Sequence, residues 1–282
     1  MPSPAATERI STERSSELNG SRPFTPVVFV AAALGAAFLL FPVAGLVVDA
    51  PLSSAVEVIR RQGTGSALGL SLIVSFGALT IAAAVGLPLA WLLARSSFPG
   101  RAMLRVLVLI PMIIPPVVAG VGLLAAFGPD GLLGGVLEAM GVRLPSTTVA
   151  ACLASAFVGM PFLVVAAEAG FRTSDRSLEE AAATLGARPW FTFRKITLPT
   201  AVPFLAAGAT LCWVRAIGEF GATVTFAGDV PATRTASLSI YALLRAGNDA
   251  GATVLSIIML VMTVTALFFM RSYLWADDDA RR

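Results

Sequence analysis

Six long apolar stretches, each near the length needed to cross a lipid bilayer as a helix, most constrain what this sequence can fold into. Because lipid offers no hydrogen-bond partners, a spanning chain must satisfy its own backbone, as helices or as a closed barrel. The stretches do not alternate between polar and apolar residues, which favours helices. We therefore predict an all-α integral membrane protein with six spans, at Pro26–Val48, Ser66–Ala94, Val106–Phe127, Thr148–Ala167, Thr200–Phe226 and Thr253–Met270.

The composition supports a membrane protein and excludes several kinds of chemistry. Charged residues make up 13% of the chain, against about a quarter in a soluble domain. There is no histidine, which excludes imidazole metal sites and histidine-based catalysis, and the only lysine, Lys195, lies outside any phosphate-binding loop pattern. Cys152 and Cys212 are expected to pack as small hydrophobes. We therefore predict no catalytic residue, metal site, cofactor or nucleic-acid-binding surface in this chain.

The distribution of basic residues predicts the orientation in the membrane. Of the 20 lysines and arginines, fourteen lie in the N-terminal tail, in the loops at 95–105 and 169–199, or in the C-terminal tail, and five lie on the opposite side. Basic residues are enriched in cytoplasmic loops, so both termini and these two loops are predicted to be cytoplasmic. We divide the chain into a disordered tail at 1–25, a six-helix transmembrane domain at 26–271 and a short tail at 272–282.

Prolines in the third stretch predict a break at membrane depth. Pro111, Pro115 and Pro116 lie in IPMIIPPVVAG, and proline both removes a helical hydrogen bond and clashes with the preceding turn. Irregular backbone in the membrane is tolerated only inside protein or beside a water-filled cavity. Pro115 and Pro116 are therefore candidates for lining a translocation path. A kinked helix that only packs against its neighbours is the open alternative.

The cytoplasmic loop at 172–199 contains a short helical pattern. Ser177 precedes Glu180 by three residues, which predicts a capping box at the helix start, and Gly186 predicts the helix end. Pro189 would open a second helical turn. The first helix would carry one apolar stripe of Leu178, Ala181, Ala182 and Leu185. Its small side chains suit a cleft on a partner protein, and an amphipathic helix resting on lipid headgroups is the alternative.

This loop also resembles the signature of the membrane subunits of binding-protein-dependent ABC importers, E-A-A-x3-G-x9-I-x-L-P. Every spacing of that signature is met, by Glu180, Ala181, Ala182, Gly186, Ile196, Leu198 and Pro199. The resemblance implies the type I ABC importer transmembrane fold. It also implies that the loop, with Leu185 in its apolar stripe, forms a coupling helix between spans four and five that docks into a separate ATPase.

Several partners follow from the same resemblance. Two copies of an ATP-binding subunit would bind ATP and Mg²⁺ and hydrolyse the ATP, so this chain would be a transport subunit and not an enzyme. Two permease copies, expected to be a homodimer, would form the pathway. An extracytoplasmic binding protein would deliver the cargo. The expected location is the plasma (inner) membrane of a bacterium or archaeon.

Two charges lie inside the fifth stretch, where each would cost about 2.5–3.5 kcal/mol at a helix centre. Arg215 and Glu219 are four residues apart, which on one helix would place them on one face. Thr223 lies one turn further along and adds a hydroxyl group to that face. Charges this costly are expected to face the bundle interior. These residues would either line the pathway, with Arg215 attracting an anion, or lock helices together as an ion pair.

The segment around these charges resembles the molybdate and sulfate branch of the importers, which typically reads R-A-L-G-E-F-G-A-T and then F-A-G-N. Here Ile217 replaces the leucine and Asp229 replaces the asparagine. The resemblance covers about residues 66–270 and implies import of a tetrahedral oxyanion, with molybdate the best match. Sulfate, thiosulfate and tungstate are the alternatives. A secondary transporter driven by an ion gradient is the rival class, although no internal repeat supports it.

Overall fold

The computed structural model describes residues 25–51 and 63–274, so nearly all of the predicted 1–25 tail, and 275–282 of the predicted 272–282 tail, lie outside the described residues. Within them the chain forms helices and turns, without a β-strand. A π-helical turn at Phe193–Thr197 joins the eighth and ninth α-helices. The α-helices are α1 (Thr25–Val48), α2 (Thr64–Arg95), α3 (Arg101–Ile113), α4 (Pro116–Phe127), α5 (Gly134–Ala139), α6 (Thr148–Thr173), α7 (Arg176–Thr184), α8 (Pro189–Thr192), α9 (Leu198–Ile217), α10 (Gly221–Phe226), α11 (Ala236–Arg245) and α12 (Asp249–Leu274).

Five helical segments in the described ranges are long and apolar enough to cross a membrane. They are α1, α2, α6, the continuous run Pro189–Ile217 and α12. The pair α3 and α4 makes a sixth if it counts as one span, although it bends by 116° at its break. The all-α, multi-span fold predicted from the apolar stretches is confirmed. Helix α1 belongs to a separate unit of the chain and exposes nearly all of its residues.

The core of the second unit is built by α2, α6 and α9, which pack closely through small residues. Ala78, Ala156 and Ala216, one from each helix, form a buried cluster. At Gly159 a β-carbon would lie 3.0 Å from the backbone oxygen of Cys212, so the two backbones approach too closely for a larger residue. Small side chains allow such approach in membrane helices. Cys212 and Cys152 are buried free thiols.

The third span breaks where the prolines predict. Helix α3 ends at Ile113, Ile114 is extended, and Pro116 opens α4, for which a missing N–H group costs nothing. The prolines therefore place a sharp turn at a defined position in the membrane domain. The prediction of a kink or unwinding at these prolines is confirmed.

The fifth span differs from the prediction. It was expected to run as one helix from Thr200 to Phe226, but α9 ends at Ile217 and α10 begins at Gly221. Glycine at 218 and 221 lowers helix propensity there, and a β-carbon at Gly221 would lie 2.8 Å from the Cβ atom of Pro116. Helix α4 thus occupies the space that a larger residue at 221 would need, and α9 ends before it reaches α4.

Candidate functional site

The N-cap of the short loop helix α7 lies two residues before the predicted one. Asp175, and not Ser177, is the N-cap, because its Oδ1 atom accepts a hydrogen bond of 2.8 Å from the Ser177 backbone N–H. That hydrogen bond lowers the pKa of Asp175 below its ordinary value. The capping box at Ser177 was therefore wrong, since an aspartate two residues upstream already satisfies the first free N–H group.

The C-terminus of α7 ends as the glycine predicts. Gly186 has a φ of +80°, a left-handed conformation that residues with a side chain rarely adopt. The Gly186 N–H donates to the Ala183 carbonyl, and the Ala187 N–H donates to the Ala182 carbonyl, each over 3.0 Å. This pair of bonds is the Schellman arrangement, and it fixes the direction in which the chain leaves the helix.

The apolar stripe of α7 points away from the rest of the described chain. No residue of this helix is buried, and Leu185 beside its end is 88% exposed. The other leucine of the stripe, Leu178, is 54% exposed. A shallow groove of about 500 Å³ lies along this face. It is lined by Ala182, Leu185, Gly186, Ala187, Arg188 and Phe191.

The polar side of α7 faces inward and holds the helix in place through Glu179. Its Oε1 atom accepts hydrogen bonds from Arg95 Nη2 at 2.7 Å, Ser174 Oγ at 2.8 Å and Thr197 Oγ1 at 2.7 Å. Its Oε2 atom accepts another from Arg95 Nη1 at 3.1 Å. We call these four residues the Glu179 cluster. It ties α7 to the last residue of α2, to the residue after α6, and to the residue before α9.

The charge state of Glu179 follows from this cluster. Burial favours the neutral acid, but the hydrogen bonds from Thr197 and Ser174 and the positive charge of Arg95 outweigh it and lower the pKa of Glu179. The carboxylate is therefore ionised at neutral pH. No role was predicted for Glu179 from the sequence. Helix spacing alone did not single out Glu179, because at 3.6 residues per turn Glu180 lies further from the apolar stripe than Glu179 does.

An aromatic group packs below the cluster. The Trp91 ring lies edge-on to Phe171 at 5.2 Å and to Phe193 at 5.1 Å between centroids, while Trp190 stacks on Phe193 at 5.5 Å. The Arg95 guanidinium lies 5.2 Å above the Trp91 ring. Such contacts each contribute about 0.5–1.5 kcal/mol beyond burial. They join the ends of α2 and α6 to the start of the Pro189–Ile217 run.

The two halves of the E-A-A signature occupy different surfaces. Its first half, Glu180 to Gly186, covers the second half of α7 and the two residues after it, with Glu180 itself exposed. In its second half, Leu198 lines a separate apolar groove of about 540 Å³ together with Trp190. Pro199 stands in the first turn of α9, where proline is tolerated, and Ile196 lies in the π-helical turn.

The two broken spans meet each other inside the membrane domain. Pro116 contacts Gly221, as the close approach described above shows, and Gly120 of α4 lies against Ala222 and Thr225 of α10. Two interruptions that the sequence places about a hundred residues apart are therefore in contact. Of the candidate pathway residues, Pro116 thus lies beside the segment that carries Glu219 and Thr223.

Arg215 and Glu219 form an ion pair, although not on one helix as expected. Arg215 lies in the last turn of α9, Glu219 lies in the break, and Arg215 Nη1 is 2.6 Å from Glu219 Oε2. Glu219 Oε1 also accepts the Ala222 N–H at 2.8 Å and so caps α10. The Glu219 side chain is 1% exposed and that of Arg215 30%. Thr223 is fully buried, and its hydroxyl has no hydrogen-bond partner among the residues that the structure describes.

Comparison with known proteins gives the class of this chain. Residues 86–274 match the family described as "Binding-protein-dependent transport system inner membrane component". This match spans more than half of the chain, and the chain belongs to that family.

The described residues contain no group of three or more cysteine, aspartate or glutamate side chains placed to hold a metal ion.

Individual relatives show to which branch of the family this chain is similar. The chain is 38% identical over 236 residues to the "Molybdenum transport system permease protein ModB" of Mycobacterium bovis, covering 83% of this chain and 89% of the relative. It is 34% identical to the "Sulfate transport system permease protein CysT" of Escherichia coli K12, over 82% and 84% of the two chains. The resemblance to the molybdate and sulfate branch is confirmed.

Solved structures share the fold. A bacterial alginate ABC transporter, crystallised in complex with an alginate pentasaccharide-bound periplasmic protein, superposes with a TM-score of 0.68. The alignment covers 89% of this chain and 96% of that one at 18% identity. The predicted type I importer transmembrane fold is confirmed.

Proposed function

We propose that this chain is the permease subunit of an ATP-driven importer that moves a tetrahedral oxyanion, most of all molybdate, into the cytoplasm. The observation that carries the proposal is α7, a helix that exposes its apolar stripe and anchors itself by its polar side. Exposed apolar surface of this kind marks an interaction site. A separate ATPase, which binds ATP and Mg²⁺, would seat this stripe in a cleft.

The anchoring gives α7 a mechanical connection to the membrane domain. Through Thr197 the Glu179 cluster holds the start of α9, a helix of 20 residues and so about 30 Å long. The far end of α9 carries Arg215 and leads into the break at Glu219. A displacement of α7 by a moving ATPase would therefore pass along α9 to the contact between the two broken spans. Pro115, Pro116 and Thr223 lie at or beside that contact.

Further partners belong to the same proposal. Two copies of the permease would form the pathway between them, two ATPase subunits would hold the two α7 helices, and an extracytoplasmic binding protein would deliver the anion. Both termini would lie in the cytoplasm of a bacterial or archaeal cell. The crystallised alginate transporter with its loaded periplasmic protein supports a binding-protein-dependent route.

Charges along the chain support an anionic cargo. The Arg215 side chain stays partly exposed while that of Glu219 is buried. Asp229, the unusual acid near the predicted outer side, pairs with Arg234 at 2.7 Å, which offsets its negative charge. The relatives named for molybdenum and for sulfate make sulfate the second candidate. Thiosulfate and tungstate share the same charge and shape.

Transport by reconstituted vesicles tests the proposal. The chain is purified with its partner ATPase and binding protein, and uptake of radiolabelled molybdate and sulfate is followed with and without ATP. We expect uptake that requires ATP and prefers molybdate. Leu185→Asp should abolish it, because the charge meets the docking cleft, whereas Thr184→Asp on the same exposed helix should retain most of it. Uptake driven by an ion gradient alone, or unaffected by Leu185→Asp, would contradict the proposal.

A further inference from the structure

A polar cavity, separate from the two grooves described above, lies on the inner side of α7, opposite to the docking stripe. It has a volume of about 280 Å³ and is lined by Arg95, Arg101, Arg172 and Arg176. These arginines come from the end of α2, the start of α3, the end of α6 and the start of α7. The volume corresponds to about nine water molecules at their share of liquid volume, which is enough for a small hydrated anion. No role in docking or in the pathway uses this cavity.

The arginines around this cavity are only partly neutralised. Arg95 is paired with Glu179, and Arg172 lies 3.7 Å from Glu168, which Arg105 already engages. The cavity lining contains four arginines and no carboxylate. The carboxylates that pair with arginines here are Glu179, which pairs with Arg95, and Glu168, which Arg105 and Arg172 share.

Two of the cavity arginines carry positive charge that no ion pair in the described part of the chain neutralises. Neither Arg101 nor Arg176 has a carboxylate within ion-pair distance among the residues that the structure describes. The Arg101 guanidinium is held in place by the Leu93 carbonyl, to which its Nη2 atom donates. The Nε atoms of Arg95 and Arg101 are buried and donate to no acceptor in the described part of the chain. Buried donors of this kind are normally satisfied, so these atoms favour an acceptor in or beside the cavity.

We propose that this cavity binds a phosphate-type anion at the cytoplasmic surface. Planar guanidinium groups bind tetrahedral oxyanions through paired N–H donors, and four of them converge here from four helices. Arg101 and Arg176, the two arginines without an ion pair among the described residues, can balance one phosphate dianion or the single charge of a phosphodiester. The same chemistry is offered by a free inorganic oxyanion and by the phosphate of an anionic lipid headgroup, since basic pockets on the cytoplasmic side of membrane helices also bind headgroups.

The cavity lies next to the Glu179 cluster, so a bound anion would affect the anchoring of α7. Arg95 lines the cavity and also donates both of its Nη atoms to Glu179. Ser174, another member of the Glu179 cluster, lines the cavity too. The anion therefore contacts the residues that hold α7 to the membrane domain, so its binding and the anchoring of α7 influence each other.

Binding measurements on the purified full-length chain test this site. Inorganic phosphate is titrated calorimetrically into the protein in phosphatidylcholine nanodiscs, and retention of phosphatidylglycerol over phosphatidylcholine is measured by native mass spectrometry. We expect at least one of these probes to bind. Phosphate binding alone identifies a free oxyanion, and selective phosphatidylglycerol retention identifies a lipid headgroup.

Matched variants locate the binding. Arg101→Gln with Arg176→Gln should weaken it roughly tenfold or more, as expected for lost hydrogen bonds to a charged group. Arg188→Gln with Arg194→Gln removes the same charge from exposed positions outside the cavity and should change it less than about twofold. If the first pair fails to fold, the exposed Arg176→Gln variant alone should still weaken binding.

Three results would overturn the proposal. The first is a wild-type chain that binds neither phosphate nor phosphatidylglycerol. The second is an equal loss of binding in both variant pairs, which would reduce the effect to net charge. The third is loss of binding once the ATPase subunit is added, together with weaker ATPase assembly in the Arg101→Gln/Arg176→Gln variant, which would assign the cavity to an acidic side chain of that partner.

Discussion

Glu179 shows how much of this site depends on a single carboxylate. Four hydrogen bonds reach it from three other residues, two of which are at least 18 positions away in the sequence. Its neighbour Glu180, the first residue of the recognised signature, is exposed. The two adjacent glutamates therefore have different surroundings: Glu179 anchors the helix from inside, and Glu180 remains on the accessible surface.

Replacing Glu179 tests this division at the residue scale. Glu179→Gln keeps the shape but removes the charge that Arg95 pairs with, so we expect the free energy of unfolding to fall by about 1–3 kcal/mol. Glu180→Gln is the matched control, and we expect it to change that quantity by less than about 0.5 kcal/mol. Thermal and denaturant unfolding of the purified variants would measure both. Equal effects of the two substitutions would contradict the anchoring role.

The pH profile of the same pair separates charge from shape. Because the folded pKa of Glu179 is lowered, its contribution is fully present above the unfolded-state value of about 4.3 and is lost as pH falls through the folded value. The stability gap between wild type and Glu179→Gln should therefore be constant near neutral pH and shrink under acid. A gap that stays constant into strong acid would indicate a purely steric effect.

At the scale of the elements, the contact between the broken spans depends on glycine. A β-carbon on Gly120 would lie 2.6 Å from Thr225 Cβ and 2.8 Å from the Ala222 carbonyl oxygen, so α4 and α10 would have to separate. A β-carbon on Gly122, on the exposed side of α4, would meet nothing within 4 Å. The two glycines thus lie on the same helix but have different surroundings.

This difference predicts opposite outcomes for one substitution. Gly120→Ala should destabilise the protein by about 1–3 kcal/mol through overpacking and should reduce transport, since it separates the two breaks. Gly122→Ala should be neutral, or stabilising by up to about 1 kcal/mol, because alanine favours helix. Unfolding midpoints and uptake rates measure the effects. Tolerance of both substitutions would mean that the contact is loose in the membrane.

The elements also show which parts of the fold the sequence could predict. The break after α3 follows from Pro115 and Pro116, whose effect is local and independent of neighbours. The break after α9 was missed, because it combines glycine with the approach of Pro116 from a distant part of the chain. The ion pair of Arg215 and Glu219 was expected from their spacing, but Glu219 reaches it from the break and caps α10 instead of continuing α9.

At the scale of the whole chain, some parts of the candidate site could be predicted from the sequence and others could not, for a physical reason. The exposed half of the signature and its end at Gly186 depend on residues close in sequence, and these were identified. The anchoring by Arg95 joins residues 84 positions apart, which no local pattern encodes. Long-range contacts decided which side of α7 faces the protein, and therefore that its apolar stripe remains available to a partner.

The position of that stripe in the assembled transporter is the central claim, and crosslinking measures it directly. A photoreactive residue is placed at Leu185 of the full-length chain, which is then assembled with its ATPase in lipid nanodiscs and irradiated. We predict that the crosslinked product contains the ATPase subunit. Products that contain only phospholipid, with the ATPase present and intact, would show that α7 rests on the membrane surface and would contradict the account.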